Sequence, residues 1–297
     1  MFLMVKKNSI VVTGGAGFVG SNLIGYLLKK TNYNLISIDN YSSGFKKNHL
    51  KDKRINYINA NTKDIFKIIK KPEKIQAVFH FGEFARIYQS FLNMNECIDS
   101  NTVGTHSVFN FCLKNKIRLI YSATSASLGN RGNDRNLSPY AFTKAKNLEL
   151  LENLKKWYNF KFEVIYFYNV YGPKQISTGK MSTVIGIFEE AYKNKKPLPI
   201  VKPGSQTRRF THIDDTIKIC YLAWKKNLSR HYSISSKKSY SINEVAKMFK
   251  FKVKYLAKRP GERYASALTN MNLSNKVYKY FGKINLADYV NDFINSH

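Results

Sequence analysis

The stretch from Ser9 to Lys30, SIVVTGGAGFVGSNLIGYLLKK, decides the fold. It opens with a β-branched run, turns on Gly14, Gly17 and Gly20, and continues with Leu23, Ile24, Leu27 and Leu28 at the spacing of one helix face. Glycines so placed allow a tight turn. They let main-chain N–H groups, including those of Phe18 and Val19 at the helix start, approach a pyrophosphate, while Gly20 admits close helix–sheet packing. A glycine triplet alone is a weak signal. Here the next strand, LISIDN, ends on Asp39, near the offset of roughly 20 residues at which an acid holds ribose hydroxyls. An acid there favours NAD over NADP, because it would repel a 2′-phosphate.

Outward from this unit, INYINA, AVFHFG, RLIYSAT and FEVIYFYN read as further strands, separated by stretches long enough for crossover helices. The alternation predicts an α/β fold, a doubly wound parallel sheet of the Rossmann kind, with functional residues at the carboxyl ends of its strands. Past residue 170 the regularity weakens: YGPKQISTGK, KKPLPIVKPGSQTRR and AKRPGERYASA read as loops of a smaller C-terminal α/β substrate lobe. The expected division is an NAD-binding domain over 1–169, a returning segment around 207–228, and a substrate lobe over most of 170–297. DDTIKICYLAWKK predicts a helix capped by Asp214 or Asp215, and LADYVNDFI another amphipathic helix.

With 297 residues, 43% of them hydrophobic, the chain can bury a large core, which excludes a disordered protein. A net charge of +30 suggests an anionic partner, but only ten of the 49 basic residues are Arg, and the lysines are scattered. That pattern reads as a solvated surface with anionic ligands drawing on it locally, rather than a nucleic-acid interface. Cys97, Cys112 and Cys220 are far apart, and the six histidines show no metal spacing, so neither a disulfide framework nor a metal site is expected. His80 and His212 read as structural groups at strand ends. No apolar run reaches the ~18 residues that span a bilayer, so no membrane insertion and a cytoplasmic location are expected.

In LSPYAFTKAKNLELLE, Tyr140 and Lys144 lie four apart on a helix pattern and can converge on one face. A tyrosine of ordinary pKa near ~10 is a poor base, but an adjacent ammonium would stabilise its phenolate. Thr124, ending the strand RLIYSAT, is placed to hydrogen-bond the substrate hydroxyl that Tyr140 deprotonates.

With these motifs in register, the chain resembles the extended short-chain dehydrogenase/reductases of the nucleotide-sugar epimerase/dehydratase kind. TGGAGFVG, Asp39, NTVGT, SATSASLG, YAFTK, YNVYGP, TRRFTHIDD and RPGE occur in that family's order across nearly the whole length. The resemblance implies NAD as cofactor, catalysis by Thr124, Tyr140 and Lys144, and cofactor contacts that include Asn101, Tyr140 and Lys144. It implies a nucleotide-diphosphate-sugar substrate, with Asn169, Arg208 and Arg259 on its diphosphate side, and a homodimer. Leu148, Leu150, Leu151 and Leu154 are candidates for the dimer face, or else pack on their own sheet.

The implied reaction is epimerisation, most simply at C4, through a transient 4-ketosugar and enzyme-bound NADH. The 4,6-dehydratases of this family carry an Asp-Glu pair directly after the catalytic threonine; here Ser125 and Ala126 stand there, which disfavours dehydration by that route. Decarboxylation or reduction through the same ketosugar, and a non-catalytic cofactor sensor or nucleic-acid binder, are the competing readings. Other departures concern the sugar. Gly82 and Glu83 replace a small apolar pair, with Glu83 a candidate for a substrate hydroxyl or amine, or for a capping role. Leu128 replaces a tyrosine, Asn61 an aspartate that meets the adenine, and Arg209 an acid beside the expected diphosphate.

Overall fold

The structure, a computed structural model, describes residues 8–128, 136–261 and 277–297. Six strands form where the sequence places them: β1 (Ser9–Thr13), β2 (Asn34–Asp39), β3 (Ile55–Asn59), β4 (Ile75–His80), β5 (Arg118–Thr124) and β6 (Phe162–Phe167). They pair in parallel in the order β6-β5-β4-β1-β2-β3, and His231–Ser235 followed by Val277–Phe281 extend the sheet beyond β6 to eight strands. The two added strands come from the C-terminal half, where loops dominate the sequence pattern. Between β1 and β4 the chain order reverses, which opens the crevice in which such sheets bind ligands.

Alternation along β1 divides the core. Ile10 and Val12 pack with Leu23, Ile24 and Leu27 of helix α1 (Phe18–Lys30), whereas Val11 packs on the other face with Phe109 and Phe111. Both faces are thus covered, as a parallel sheet requires. The helix Pro139–Tyr158 turns Leu151 fully into the second of these cores, with Leu148, Leu150 and Leu154 packed against it. Leu151 therefore packs on its own sheet, and the other three leucines are partly buried against the same core.

A third core, built on Tyr171, Phe188, Ile200, Phe210 and Phe249, holds the C-terminal lobe together. The helix Ile213–Lys226 is capped by His212, whose Nδ1 accepts the Asp214 N–H, rather than by either aspartate. Asp215 faces inward and accepts the main-chain N–H groups of Lys283 and Ile284 at 2.7 and 3.0 Å, tying the end of the last sheet strand to this helix. The tail forms the helix Leu286–Asn295 with Asn285 as cap. No described helix is long and apolar enough to cross a membrane, and the three cysteines are buried and unpaired.

Candidate active site

The glycine turn joins β1 to α1 at the sheet's crevice. Gly14 has φ +68°, and a Cβ on it would lie 2.8 Å from the Gly82 nitrogen, so two backbones meet where no side chain fits. A Cβ on Gly20 would lie 2.1 Å from the Gly14 carbonyl, which explains how closely α1 seats on the turn. Gly17 is the cap residue of α1 and has no side chain to cover its first N–H groups, those of Phe18 and Val19 among them. Asp39 accepts the N–H of Ala16 at 2.9 Å and of Tyr41 at 2.8 Å. Burial raises its pKa and these N–H groups counter the rise, while each oxygen keeps a further lone pair for a hydroxyl. Gly14, Gly17, Val19, Asp39, Asn61 and Glu83 line a cavity of about 300 Å³. Asn61 reaches it with its carbonyl held by Asn40 Nδ2 at 2.9 Å. A backbone cradle under a helix N-terminus, with a ribose-reading acid at the next strand end, is a donor set that fits NAD.

Ser138 caps the helix Pro139–Tyr158 by accepting the Ala141 N–H at 3.1 Å, which orients the first turn and Tyr140 with it. The Tyr140 N–H is held by Ser90 Oγ at 3.2 Å. Its hydroxyl is hydrogen-bonded to Thr124, and both residues line a second cavity of about 460 Å³. Burial pushes the Tyr140 pKa up to about 12; Thr124 and Arg86 oppose the rise, while Glu83 and Cys97 add to it.

Lys144 is placed differently from the sequence expectation. Its ammonium turns from Tyr140 to the Glu83 carboxylate and the Ser122 carbonyl, 4.7 Å above the Tyr121 ring centre. Side-chain exposure is 4% for Lys144 and 2% for Glu83. Glu83, expected at the sugar or as a cap, is instead enclosed by the protein's own donors: Oε1 also accepts from Thr105 at 3.0 Å, Tyr121 at 3.1 Å and Asn147 at 3.3 Å. It borders the cofactor cavity and is absent from the lining of the other. Within the chain's own residues, Arg86 rather than Lys144 is the cation that opposes the rise in the Tyr140 pKa.

Asn101 also departs from expectation. Fully buried in a π-helical turn, Asp99–Gly104, it accepts the Phe84 N–H at 2.7 Å and donates to the Phe84 carbonyl and to Thr143. It clamps the loop after β4 to the tyrosine helix and does not line the cofactor cavity. His80 is a structural group as expected, between Thr13 and Thr105 at 2.7 and 3.0 Å, with burial lowering its pKa to about 4.

Asn169, Arg208 and Arg259 converge on the cavity that holds Tyr140 and Thr124. Asn169 sits at φ +32° and donates to the Arg209 carbonyl, and the Arg259 guanidinium lies 5.1 Å from the Tyr88 ring centre. Arg209 does not join them: it donates to the carbonyls of Ser236 and Lys237. Glu262, the last residue of RPGE, lies outside the described residues. Sequence reasoning passed over Arg86, where the cavities meet with Phe18, Val19 and Ala85. Its Nε and Nη1 donate to the carbonyls of Met181 and Ala85, both at 2.8 Å. The signal was present in HFGEFARIYQS, a segment that departs from the family pattern.

The fold and this glycine turn define a dinucleotide-binding class of α/β protein. The chain belongs to the NAD dependent epimerase/dehydratase family, whose sequence profile it matches over residues 10–235. It is 27% identical over 258 residues to a protein of Methanocaldococcus jannaschii described as a putative UDP-glucose 4-epimerase, covering 82% of each chain. Among solved structures it is similar to the UDP-N-acetylglucosamine 4-epimerase of Methanobrevibacter ruminantium in complex with UDP-N-acetylmuramic acid (26% identity, TM-score 0.83, 99% of this chain and 100% of that one). The UDP-glucose 4-epimerase of Thermotoga maritima with UDP-glucose, at 23% identity, TM-score 0.84 and 97% of both chains, shares the fold.

Proposed function

We propose that the protein is an NAD-dependent epimerase of a nucleotide-diphosphate sugar, acting at C4. One observation carries this reading: the hydrogen-bonded Tyr140 and Thr124 hydroxyls lie in a cavity that meets the glycine-turn cavity and is lined by Arg86, Lys180, Arg208 and Arg259. NAD, when bound, supplies the hydride acceptor and donor. Phe18 and Val19 hold its pyrophosphate through their N–H groups, while Gly14 and Gly17, whose N–H groups donate to the Ile38 and Gly14 carbonyls, leave room for its approach; Asp39 holds its ribose and Asn61 its adenine side. Arg208 and Arg259 hold the substrate diphosphate as guanidinium forks, with Asn169 beside them. Thr124 hydrogen-bonds the sugar hydroxyl, and Tyr140, ionised to the phenolate that Thr124 and Arg86 favour, takes its proton as the carbonyl forms. The same tyrosine returns the proton after the ketosugar has turned its other face. Residues 170–297 form most of the sugar-nucleotide lobe.

Among the described residues, no carboxylate lines the substrate cavity. Removing a C5 proton and expelling a C6 hydroxyl needs such a group, so epimerisation fits better than 4,6-dehydration. Incubation with UDP-, GDP-, CDP- and dTDP-sugars, followed by proton NMR, tests the proposal. A C4 epimer without net NADH is expected; a 4-keto-6-deoxy product would overturn it in favour of dehydration, and stoichiometric NADH in favour of net oxidation. Homodimerisation through the adjacent helices Ile87–Leu92, Met94–Ile98 and Pro139–Tyr158 is part of the reading, supported by exposed Phe91, Leu92, Met94 and Phe142. Light scattering at a monomer mass would refute that part. Three unpaired cysteines accord with a reducing compartment, the cytoplasm.

A further inference from the structure

We infer that Glu83 is a positioning residue for the redox reaction: it is the counter-ion that keeps the buried Lys144 an ammonium and fixes where that ammonium sits. The inference rests on the function proposed above. Its observations lie in the packing. Lys144 leaves the tyrosine helix into a closed space between β5 and the segment after β4, where water is excluded from both partners. An ammonium so enclosed loses its hydration and keeps its proton only if an anion faces it.

The titratable groups around it come from every packed element. From β4 and the segment after it come His80, Glu83 and Arg86; from β5, Tyr121; from the helix Met94–Ile98, Cys97; and from its own helix, Tyr140. His80 is neutral because burial lowers its pKa to about 4, and Cys97 is neutral because burial raises its pKa to about 11. Tyr121 is held well above the ordinary range and Tyr140 at about 12. Glu83 is the carboxylate of the group, and it faces the Lys144 ammonium directly. Burial lowers the Lys144 pKa and Glu83 raises it, through both its charge and its hydrogen bond.

The carboxylate is itself over-determined. Thr105, Tyr121 and Asn147 all donate to Oε1, leaving Oε2 directed at Lys144. These donors come from three separate elements, so the carboxylate cannot swing away without breaking a buried hydrogen bond to each of them. Gly82 makes the placement possible: its backbone packs on Gly14, and the next residue is thereby delivered beneath the tyrosine helix.

The sign of the test follows. In Glu83→Gln the opposing charge is gone and the side-chain size remains; the amide oxygen can still accept from Thr105, Tyr121 and Asn147, but the amide nitrogen offers Lys144 no acceptor, so Lys144 gives up its proton at a lower pH. In the NAD-loaded protein with ¹³Cε-labelled lysine, the resonance assigned to Lys144 by its loss in Lys144→Arg should titrate about one pH unit or more below its wild-type midpoint. The alkaline limb of the kcat/KM profile should move the same way, and Glu83→Asp, which keeps the charge, should restore the limb towards wild type. A purely structural role would lower the melting temperature and leave both midpoints in place, and that result overturns the inference, as does an unmoved Lys144 resonance. If Glu83→Gln does not fold, Glu83→Asp decides on the same resonance, which must stay at or near the wild-type midpoint; a fall as large as that expected for Gln overturns the inference. Wild-type protein that turns over no nucleotide sugar would sink the proposed function instead, and the lysine titration, which uses no substrate, would still decide the role of Glu83.

Discussion

The two cavities that meet at Arg86 are built from opposite materials. The one below the glycine turn offers backbone N–H groups and carries Asp39, Glu83, Glu96 and Asp99 in its lining, with Lys63 and the shared Arg86. Its neighbour carries Arg86, Lys180, Arg208 and Arg259, with no acid among the described residues. Both would receive a diphosphate. On the proposed function the cofactor side would read it by main-chain dipoles and a helix N-terminus, with Asp39 on the ribose, and the substrate side by formal charge. The backbone mode demands residues without side chains at close approaches, and the charge mode demands arginines on irregular segments. The difference explains why one site is written as a compact motif and the other is scattered between Arg86 and Arg259.

The sharpest test lies at the junction. Tyr140→Phe should lower turnover by about 10²- to 10⁴-fold, the usual worth of a general acid–base, while the NAD content of the purified protein stays unchanged. Retained activity would remove Tyr140 from the mechanism. Next in size, Asp39→Ala should weaken NAD binding by roughly 10- to 100-fold, since a hydrogen bond to a charged group contributes about 1.5–3 kcal/mol, and should narrow the preference for NAD over NADP. Calorimetry with both cofactors reads this; an unchanged ratio would break the assignment of the acid to the ribose. A smaller loss is expected for Arg208→Met, about tenfold in the affinity for UDP measured without turnover, with NAD affinity unaltered. Equal losses for both ligands would erase the contrast between the cavities. Smallest of all, raising salt to roughly 0.5 M should weaken UDP binding several-fold and NAD binding less, because charges screen more readily than short backbone contacts. A parallel decline would show that both sites rely on charge.

Legibility in the sequence followed the same division. Strands β1 to β6 were readable because each is a short β-branched run bounded by turn residues, and the parallel order followed from the helices between them. The two strands His231–Ser235 and Val277–Phe281 were not, since they join the sheet after long excursions through the lobe that leave no local trace. Gly14, Gly17, Gly20 and Asp39 line one cavity, as their spacing suggests, because backbone sterics act within one strand–turn–helix unit. The partners of Asn101 and Lys144 were misjudged for the opposite reason. Asn101 bonds to Phe84 and Thr143, and Lys144 is 61 residues from Glu83, so neither contact has a periodicity to announce it. Asp215 likewise looked like a helix cap and proved to be an anchor for residues 68 and 69 positions away.

By itself the sequence determined the α/β class, the glycine turn with its ribose acid, and the pairing of a tyrosine with a strand-end threonine in one crevice. These depend on rules that act over one turn of chain or one strand. Only the tertiary structure decided that Lys144 faces Glu83 rather than Tyr140, that Arg86 stands where the two cavities join, and that the substrate side is lined by cations. Electrostatics inside a protein depends on which charges are enclosed together and how far water is from them, and folding alone brings those distances about.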